Sequence, residues 1–409
     1  MIPRAEAVGP RRPALLAAAA VPPWPVRDGY SLRVAHLAQQ LADRWRITVV
    51  TPVGAGADRP DPPAGLDWRP VEGVPATTAL PWRRERTQLA DEVEGLLAGD
   101  RWAGALLWSG TEFLADEVEG FPPAVVDRID CEALQAWRGL RDRGSLRERL
   151  RLVRKGIESA LYERRSLGGR AGIAVTGPDD ARALRLVTGR RRITVLPNGV
   201  DLPPLDGLPE EGERPRVIFT GTMSYGPNVT AVRWFAREVW PGVREREPEA
   251  EFVVAGRRPS PEIRALDGQR GIDVRPDVPD LTAEIRRAWV AVAPMQSGSG
   301  IKNKVLEAWA AGRPAVLSEL ATNGLDLEGE HGEPMQELVC RDAGRMAEAV
   351  AGLLADRGRR RSLGRAARSL AEERHGWEAA GDRLHRLLLA SLGDADPAGA
   401  EPDDRPGRV

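Results

Sequence analysis

The feature that most constrains the fold is an alternation of short apolar strands with amphipathic helices, which occurs twice along the 409-residue chain. The first series runs from an apolar stretch at 13–21 to a strand predicted at 193–196, and the second series begins at 216–219. A segment rich in Pro, Gly and Glu, residues 203–215, separates the two series. Because alternating strands and helices build parallel sheets covered by helices, the pattern predicts two parallel-sheet α/β domains.

The chain divides accordingly into predicted segments. In order, these are a disordered leader at 1–11, an N-terminal domain at 12–200, a linker at 201–215, a C-terminal domain at 216–376, an amphipathic helix at 377–392 and a disordered tail at 393–409. The two arginines before residue 13 also suggest an export signal. We prefer a buried first strand, because the apolar stretch is short and a Pro-rich turn follows it.

Composition excludes several classes of protein. The 59 Lys and Arg residues balance 60 Asp and Glu residues, whereas a dedicated nucleic-acid binder would be basic. Two cysteines are too few for a disulfide scaffold, so a cytoplasmic location is expected. No apolar run reaches the 18 or so residues that span a membrane. The first strand is not followed by G-x-G-x-x-G, which disfavours a dinucleotide-dependent oxidoreductase.

Lysine is rare in this chain. Its three lysines are Lys155, Lys302 and Lys304, against 56 arginines, and two of them lie two residues apart. Chance clustering is the plain interpretation. We favour function, because a lysine ammonium is a common partner of phosphate groups.

Those two lysines lie in the segment 293–314, where a predicted strand ends, a Gly/Ser loop follows and a helix begins. The first amides of a helix lack internal partners and attract anions. Gly298 and Gly300 would let the backbone approach a phosphate closely, and Glu307 could accept hydrogen bonds from a sugar diol. The alternative is an ordinary strand–loop–helix with solvated lysines; the first interpretation predicts an anion site.

This segment resembles the donor-site motif of the family 4 nucleotide-sugar glycosyltransferases, the glycosyl transferases of group 1, in the variant G-x-K-x-K-V-L-E-A. Other segments resemble the same family at matching places: 195–201, 219–228, 254–256 and 276–279. Trp377 and its helix resemble the family's terminal helix, which crosses back to the N-terminal domain. The resemblance implies the GT-B fold, in which two Rossmann-like parallel-sheet domains face each other across a cleft.

The resemblance also implies roles for particular residues. Glu307 would hold the donor ribose, Gly221 would admit the diphosphate, Val278 would meet the nucleobase edge and Gly29 would face the donor from the other domain. The predicted substrate-binding set is Gly29, Gly221, Thr222, Asn228, Val278, Gly298, Ser299, Gly300, Ile301, Lys304 and Glu307. Lys302 and Asp130 are the predicted catalytic residues, and no metal site is expected.

The sequence also departs from the family pattern. Many members carry an acidic residue where this chain has Ser299, and an Arg and a Lys where it has Thr222 and Asn228. The positive charge for a departing diphosphate must then come from elsewhere, and the two neighbouring lysines are the candidates.

A second departure concerns the acceptor side. Many members have a His after the fourth strand, where this chain reads Trp-Ser-Gly-Thr-Glu at 108–112. Asp127 and Asp130 are the candidate polar groups there, although aspartates more often serve as turn or cap residues.

The resemblance therefore implies a metal-independent glycosyltransferase that needs no cofactor. It would move a sugar, with retention of anomeric configuration, from a UDP- or GDP-linked donor to a small-molecule, glycan or lipid-linked acceptor. Two alternatives stay open: a GT-B relative that binds a nucleotide sugar without transfer, and a sugar-nucleotide epimerase. No nucleic-acid partner is expected.

The charged helical stretch at 137–166 interleaves arginines with apolar residues. It could make a peripheral contact with an anionic membrane. The plainer interpretation, which we favour from the sequence, is a solvated helix with paired charges.

Overall fold

The computed structural model describes residues 12–72, 87–140, 145–206, 211–298 and 300–393. The leader predicted at 1–11 and almost all of the tail predicted at 393–409 lie outside the described residues, as does Ser299.

The first sheet of the described chain is parallel throughout and has the strand order β3-β2-β1-β4-β5-β6-β7. Its strands are β1 (Ala14–Ala18), β2 (Arg46–Val53), β3 (Leu66–Glu72), β4 (Gly104–Trp108), β5 (Ala124–Asp127), β6 (Gly172–Val175) and β7 (Thr194–Val195). The helices between them are α1 (Gly29–Leu41), α2 (Gln88–Gly99), α3 (Leu114–Glu117), α4 (Glu132–Gly139), α5 (Leu146–Ser166) and α6 (Pro178–Thr188).

The second sheet is also parallel and has the order β10-β9-β8-β11-β12-β13. Its strands are β8 (Arg216–Thr220), β9 (Glu251–Gly256), β10 (Ile272–Pro276), β11 (Val290–Ala293), β12 (Ala315–Ser318) and β13 (Val339–Cys340). The helices that follow β8 are α7 (Gly226–Trp234), α8 (Trp240–Arg246), α9 (Pro261–Arg264), α10 (Leu281–Arg287), α11 (Asn303–Ala310), α12 (Glu333–Gln336), α13 (Ala343–Ala355), α14 (Arg357–Arg374) and α15 (Trp377–Leu392), with a π-helical turn at Phe235–Val239 and a 3-10 turn at Glu319–Thr322.

Each sheet buries apolar strands beneath helices, as the near-continuous apolar runs of parallel strands require. In both sheets the order runs outward from a central pair, β1 with β4 and β8 with β11. At such a reversal of order the loops beyond the strands part and leave a crevice for a ligand. The prediction of two parallel α/β domains of the GT-B type is confirmed.

The last helix packs on the first domain, although it follows the second in sequence. Trp377, Leu384 and Leu388 of α15 are buried in one cluster with Leu37 of α1. Where the chain returns, the backbone N–H of Val200 donates to the carbonyl of His375 at 2.7 Å. The chain therefore crosses between the domains twice, at neighbouring points.

Strand β3 and helix α6 are the longest elements that were not predicted; the short elements α3, α9, α12 and β13 were not predicted either. Strand β3 reads Leu-Asp-Trp-Arg-Pro-Val-Glu, in which charges and a proline resemble a loop; it lies at the sheet edge, where proline is tolerated. Helix α6 begins with a proline and is followed by Gly189, whose φ of 72° is left-handed. The sequence thus carries the typical start and end signals of a helix, which were not recognised. The charged stretch at 137–166 contains the end of α4 and the whole of α5.

None of the helices in the described part of the chain is both long and apolar enough to cross a bilayer.

Candidate functional site

A cleft of about 1000 Å³ lies between the two domains. Loops beyond the carboxyl ends of β1 and β5 form one wall, and loops beyond β8, β9 and β11 form the other. The first amides of α1 and α11 therefore face the same space. This is the place that the parallel topology predicts for a ligand.

The loop between β11 and α11 contains glycines that would let a ligand come close to its backbone. Gly298 and Gly300 have φ values of 103° and 65°, a region that side chains rarely adopt. Lys302 precedes the helix as its N-cap residue, and no described side chain caps the helix amides. The start of α11 thus keeps the unpaired donors and the positive dipole end that favour an anion.

Lys302 is almost completely buried at this junction, with 6% of its surface exposed. Its Nζ donates to the carbonyl oxygen of Gly300 at 2.6 Å. Burial lowers the pKa of the ammonium to about 8, and the nearby carboxylates of Asp130 and Asp180 oppose that change. The group is therefore mostly protonated at neutral pH.

Lys304 points to the other side of the helix, as expected for the second position after Lys302. Its Nζ donates to Oδ1 of Asn228 at 2.9 Å and lies 4.9 Å from the centre of the Phe219 ring. Burial, with help from the charge of Lys302, lowers its pKa to about 8. A Cβ on Gly221 would lie 3.7 Å from the Cε of Lys304. This ammonium therefore stands beside the loop that follows β8.

Glu307 lies one turn into α11, on the same side of the helix as Lys304. Burial raises the pKa of its carboxyl, while Lys304 and a hydrogen bond from Thr220 lower it. The carboxyl lines the cleft, so its oxygens can accept hydrogen bonds from a ligand.

The loops after β8 and β9 touch through their glycines. Gly221 and Gly256 have φ values of 145° and 155°, and a Cβ on Gly256 would lie 1.7 Å from the carbonyl oxygen of Gly221. No side chain fits between the two loops. The wall of the cleft here is bare backbone, which suits close contact with a ligand.

Asp130 enters the cleft from the first domain on a strained turn. Its backbone N–H donates to the carbonyl of Arg128 at 2.8 Å, and Ile129 between them has a φ of 64°. A β-branched residue in the left-handed region is a genuine outlier, and such strain concentrates at functional sites. Thr176 and Gln135 donate to the Asp130 carboxyl at 3.2 and 3.1 Å.

Burial and the charge of Asp180 raise the pKa of Asp130 to about 6, against the opposing effect of Lys302. Asp180 itself accepts from the backbone N–H groups of Cys131, at 3.0 Å, and of Gly300, at 3.3 Å. A carboxylate of the first domain thus holds the glycine loop of the second.

A second link crosses the cleft through Asn198. Arg33 is fully buried and donates from Nε and Nη2 to both carboxylate oxygens of Asp127, at 2.7 and 3.0 Å, and from Nη1 to Oδ1 of Asn198 at 2.7 Å. Nδ2 of Asn198 donates to Oδ1 of Asn303 at 2.8 Å. Gly29 faces the same asparagine, because a Cβ there would lie 3.4 Å from Nδ2 of Asn303.

The proposal of Asp127 as a polar group for the acceptor is wrong. Its carboxylate is buried and engaged by Arg33, and it does not line the cleft. Ser109 and Glu112 lie in the segment after β4. The carbonyl of Ser109 accepts from the hydroxyl of Tyr30 at 2.9 Å, and the carboxylate of Glu112 is buried against Arg128. These residues form a structural network where many members of the resembling family have a histidine.

Apart from Ser299, which is not described, every residue of the predicted site lines this one cleft: Gly29, Asp130, Gly221, Thr222, Asn228, Val278, Gly298, Gly300, Ile301, Lys302, Lys304 and Glu307. Their individual roles stay predictions.

Sequence reasoning missed the residues that join the domains. Asp180 was given no role because helix α6 was not predicted, and Asn198 and Asn303 were interpreted as a turn residue and a helix residue. Arg138, whose Nη1 donates to the carbonyl of Gly298 at 3.3 Å, was interpreted as part of a solvated helix. The acidic first turn of α6 and the Asn-Gly turn were the available signals.

Comparison with known proteins relates the second domain to a known family. Residues 214–356 match the family described as Glycosyl transferases group 1. The resemblance stated from the sequence is thereby confirmed for the second domain, which carries the predicted donor-site motif.

Solved structures extend the likeness to the whole fold. HepE of Anabaena, in complex with UDP and glucose, is 12% identical with a TM-score of 0.61, over 92% of this chain and 99% of that chain. A glycosyltransferase from Rickettsia africae is 9% identical with a TM-score of 0.63, over 94% of this chain and 100% of that chain. A comparison with curated proteins gives no significant sequence match.

Proposed function

We propose that this protein is a glycosyltransferase that moves a sugar from a nucleoside diphosphate sugar to an acceptor bound at the same cleft. One observation carries the proposal. Two ammonium groups, the uncapped start of α11 and a carboxyl that can receive a ribose diol all face one space between the two domains. The ammonium groups and the helix start match the diphosphate of a nucleotide-sugar donor, and the carboxyl matches its ribose.

The donor would lie mainly against the second domain. Glu307 accepts hydrogen bonds from the ribose hydroxyls, the glycine loops after β8 and β11 admit the diphosphate, and the main chain near Val278 meets the base. A UDP- or GDP-linked sugar fits these contacts, and the Anabaena structure of the same fold was obtained with UDP and glucose.

Transfer breaks the bond between the anomeric carbon and the diphosphate, which gains negative charge as it leaves. Lys302, Lys304 and the first amides of α11 receive that charge. Lys304 supplies the cation that the neighbouring loop lacks at Asn228, since its Nζ lies 2.9 Å from the Asn228 side chain. Both lysines have a pKa of about 8 and carry charge at neutral pH.

On the acceptor side, Asp130 orients the attacking hydroxyl. Its pKa of about 6 lets it exchange a proton near neutral pH, and its place opposite Lys302 sets the acceptor beside the anomeric carbon. Retention of anomeric configuration and independence from a metal ion are part of the proposal, and they rest on the family resemblance and on the lysines as the source of positive charge.

The test has two stages. A thermal-shift screen with UDP, GDP, ADP and their sugars identifies the donor, since a ligand at 100 times its Kd adds about 2.7 kcal/mol of stability. Transfer to candidate acceptors is then followed with that donor, with and without EDTA, and the product anomer is read by NMR.

Hydrolysis or transfer by the wild type, lost in Lys302→Met, is the expected result. Binding without turnover under all conditions would show a nucleotide-sugar binding protein, and a new nucleotide sugar formed without acceptor would show an epimerase. No stabilisation by any nucleotide would end the proposal.

A further inference from the structure

An apolar stripe runs along the outer side of helix α5. Leu146, Leu150, Ile157 and Leu161 are 74%, 61%, 56% and 54% exposed. At 3.6 residues per turn, their positions fall within a sector of about 60° around the helix. Scattered exposed leucines are ordinary, but a continuous apolar stripe marks a surface that binds something.

The stripe is not the face that holds α5 in the protein. Gly156, Ser159, Glu163 and Ser166 are the buried residues of this helix. They lie on another side, where a Cβ on Gly156 would come 3.5 Å from the Cβ of Ala136 in α4. The small and polar residues therefore pack inward, and the large apolar ones point into solvent.

Helix α4, which packs against α5, carries one more exposed apolar side chain. Trp137 is 62% exposed near the end of α4 that leads towards α5. With the stripe on α5, it accounts for five of the nine large hydrophobic side chains that are exposed among the described residues. We call these five residues, Trp137, Leu146, Leu150, Ile157 and Leu161, the α4–α5 surface.

The α4–α5 surface carries a basic excess. Helix α5 holds seven basic and three acidic residues. All three acids have local partners: Glu148 accepts from the N–H of Ser145, Glu158 pairs with Arg154, and Glu163 is buried beside Arg128. Exposed arginines, among them Arg147 and Arg151, are left to flank the stripe.

We propose that the α4–α5 surface docks onto an anionic lipid bilayer, with α5 lying in the plane of the interface. Apolar side chains enter the acyl boundary while flanking arginines meet the lipid phosphates. An exposed tryptophan beside such a helix suits the headgroup region. A second copy of the chain fits poorly, because isologous pairing would bring the same arginines against each other.

The docked helix also borders the cleft. Lys155, on the side of α5 away from the stripe, lines the cleft with Glu132 and Gln135 of α4. Because a helix is about 10–12 Å in diameter, the part of the cleft that Lys155 lines would lie about one helix diameter from the bilayer surface. A lipid-linked acceptor could then reach the proposed site without leaving the membrane; this part rests on the proposed function, whereas docking does not.

Flotation of the full chain with vesicles tests the docking. One set is phosphatidylcholine alone and the other contains 30 mol% phosphatidylglycerol, each at about 50 and 500 mM NaCl. We expect flotation with the anionic vesicles at low salt, weakened by high salt as screening requires, and weak or absent flotation with phosphatidylcholine.

Two variants and two matched controls assign the effect to this surface. The double variant Leu150→Glu/Leu161→Glu should lower partitioning at least tenfold, and Arg147→Gln/Arg151→Gln by about thirtyfold at low salt. Leu186→Glu, at a site 87% exposed on α6, and Arg237→Gln/Arg341→Gln, on the second domain, should float like the wild type. Every substituted side chain is exposed, so all these variants should fold.

Absence of flotation with anionic vesicles, or equal loss in the control variants, would overturn the proposal. So would a concentration-dependent dimer that Leu150→Glu/Leu161→Glu dissolves, because the surface would then be covered by a second copy. If docking is confirmed but no sugar transfer is found, the lipid surface stands and the proposed function fails separately.

Discussion

Asn198 of the first domain donates a 2.8 Å hydrogen bond to Asn303, the first residue of helix α11 in the second domain. Because Asn198 also accepts from the buried Arg33, the start of the proposed donor-binding helix is tied to an ion pair in the core of the other domain. Two side chains that are more than a hundred residues apart in the sequence thereby join the two walls of the cleft.

Replacing Asn198 should loosen this link. Asn198→Leu leaves Nη1 of Arg33 and the side chain of Asn303 without their partner, which should cost about 1–3 kcal/mol in the free energy of unfolding. Arg33→Leu, which strands the buried Asp127 carboxylate, should cost more, about 3–5 kcal/mol. Urea denaturation measures both, and an Asn198→Leu protein as stable as the wild type would contradict the link.

The contact between the glycine loops admits no side chain. Gly256→Ala would place a Cβ 1.7 Å from the carbonyl oxygen of Gly221, at a φ of 155°, and should cost about 3 kcal/mol of stability together with nucleotide affinity. Gly95→Ala is the matched control. It lies in helix α2 with nothing within 4 Å of its Cβ, and should stabilise the protein by about 0.5–1 kcal/mol. Thermal unfolding with and without nucleotide distinguishes the two outcomes.

The two lysines predict the alkaline limb of the pH profile. Each has a pKa of about 8, so kcat/KM should fall as pH rises through 8, with two ionisations and a limiting slope of −2. Lys304→Arg stays protonated over this range and should leave a slope of −1 from Lys302. An unchanged slope in Lys304→Arg would show that Lys304 does not supply charge to the donor.

Glu307 should couple to the sugar hydroxyls of the nucleotide. Wild-type protein should bind the 2′-deoxy or 3′-deoxy form of its nucleotide about 10- to 100-fold more weakly, since a hydrogen bond to a charged group contributes about 1.5–3 kcal/mol. Glu307→Ala should bind all forms equally weakly. Calorimetric titration of the four combinations gives the coupling energy, and a coupling near zero would place the ribose elsewhere.

Acid should destabilise the protein through His375. Its ring is 1% exposed, neither nitrogen has a hydrogen-bond partner among the described residues, and burial lowers its pKa to about 4. The unfolded chain takes up this proton below pH 6.5 while the folded chain stays neutral. Stability is therefore lost as pH falls from 6.5 to 4, by about 3 kcal/mol in all at 1.36 kcal/mol per pKa unit.

His375→Phe keeps an aromatic ring at this position and should remove that part of the pH dependence. His331→Phe, at the partly exposed His331 that pairs with Glu373, is the control and should retain it. Urea unfolding at pH 4, 5 and 6.5 supplies the comparison. Equal acid sensitivity of the wild type and His375→Phe would refute the assignment.

Much of the second domain could be predicted because its signals are local. The strand at 290–293, the glycine loop and the helix that starts at Asn303 follow one another within a short segment, so strand length, glycine position and helical period suffice. The edge strand β3 of the first domain was not predicted, because a half-exposed strand with a proline and charges has no distinctive local pattern.

The pairing of side chains across the domains could not be predicted in the same way. Asp127 and Asp130 look alike in sequence, yet Asp127 is paired with Arg33 whereas Asp130 faces the cleft. The difference arises because the turn at Ile129 changes the direction of the chain between them. Likewise, the acidic first turn of α6 marks Asp180 as a residue of a helix start, but no local signal pairs it with the N–H of Gly300.

By itself, the order of residues determined the alternation of strands and helices, the two sheets and the chemistry available at the start of α11, since each depends on neighbours a few positions apart. Only the tertiary structure decided that Lys302 lies beside Asp130, that Lys304 lies beside Asn228, and that the leucines of α5 face outward. Such contacts join residues far apart in the chain, and their geometry exists only once the domains and helices have packed.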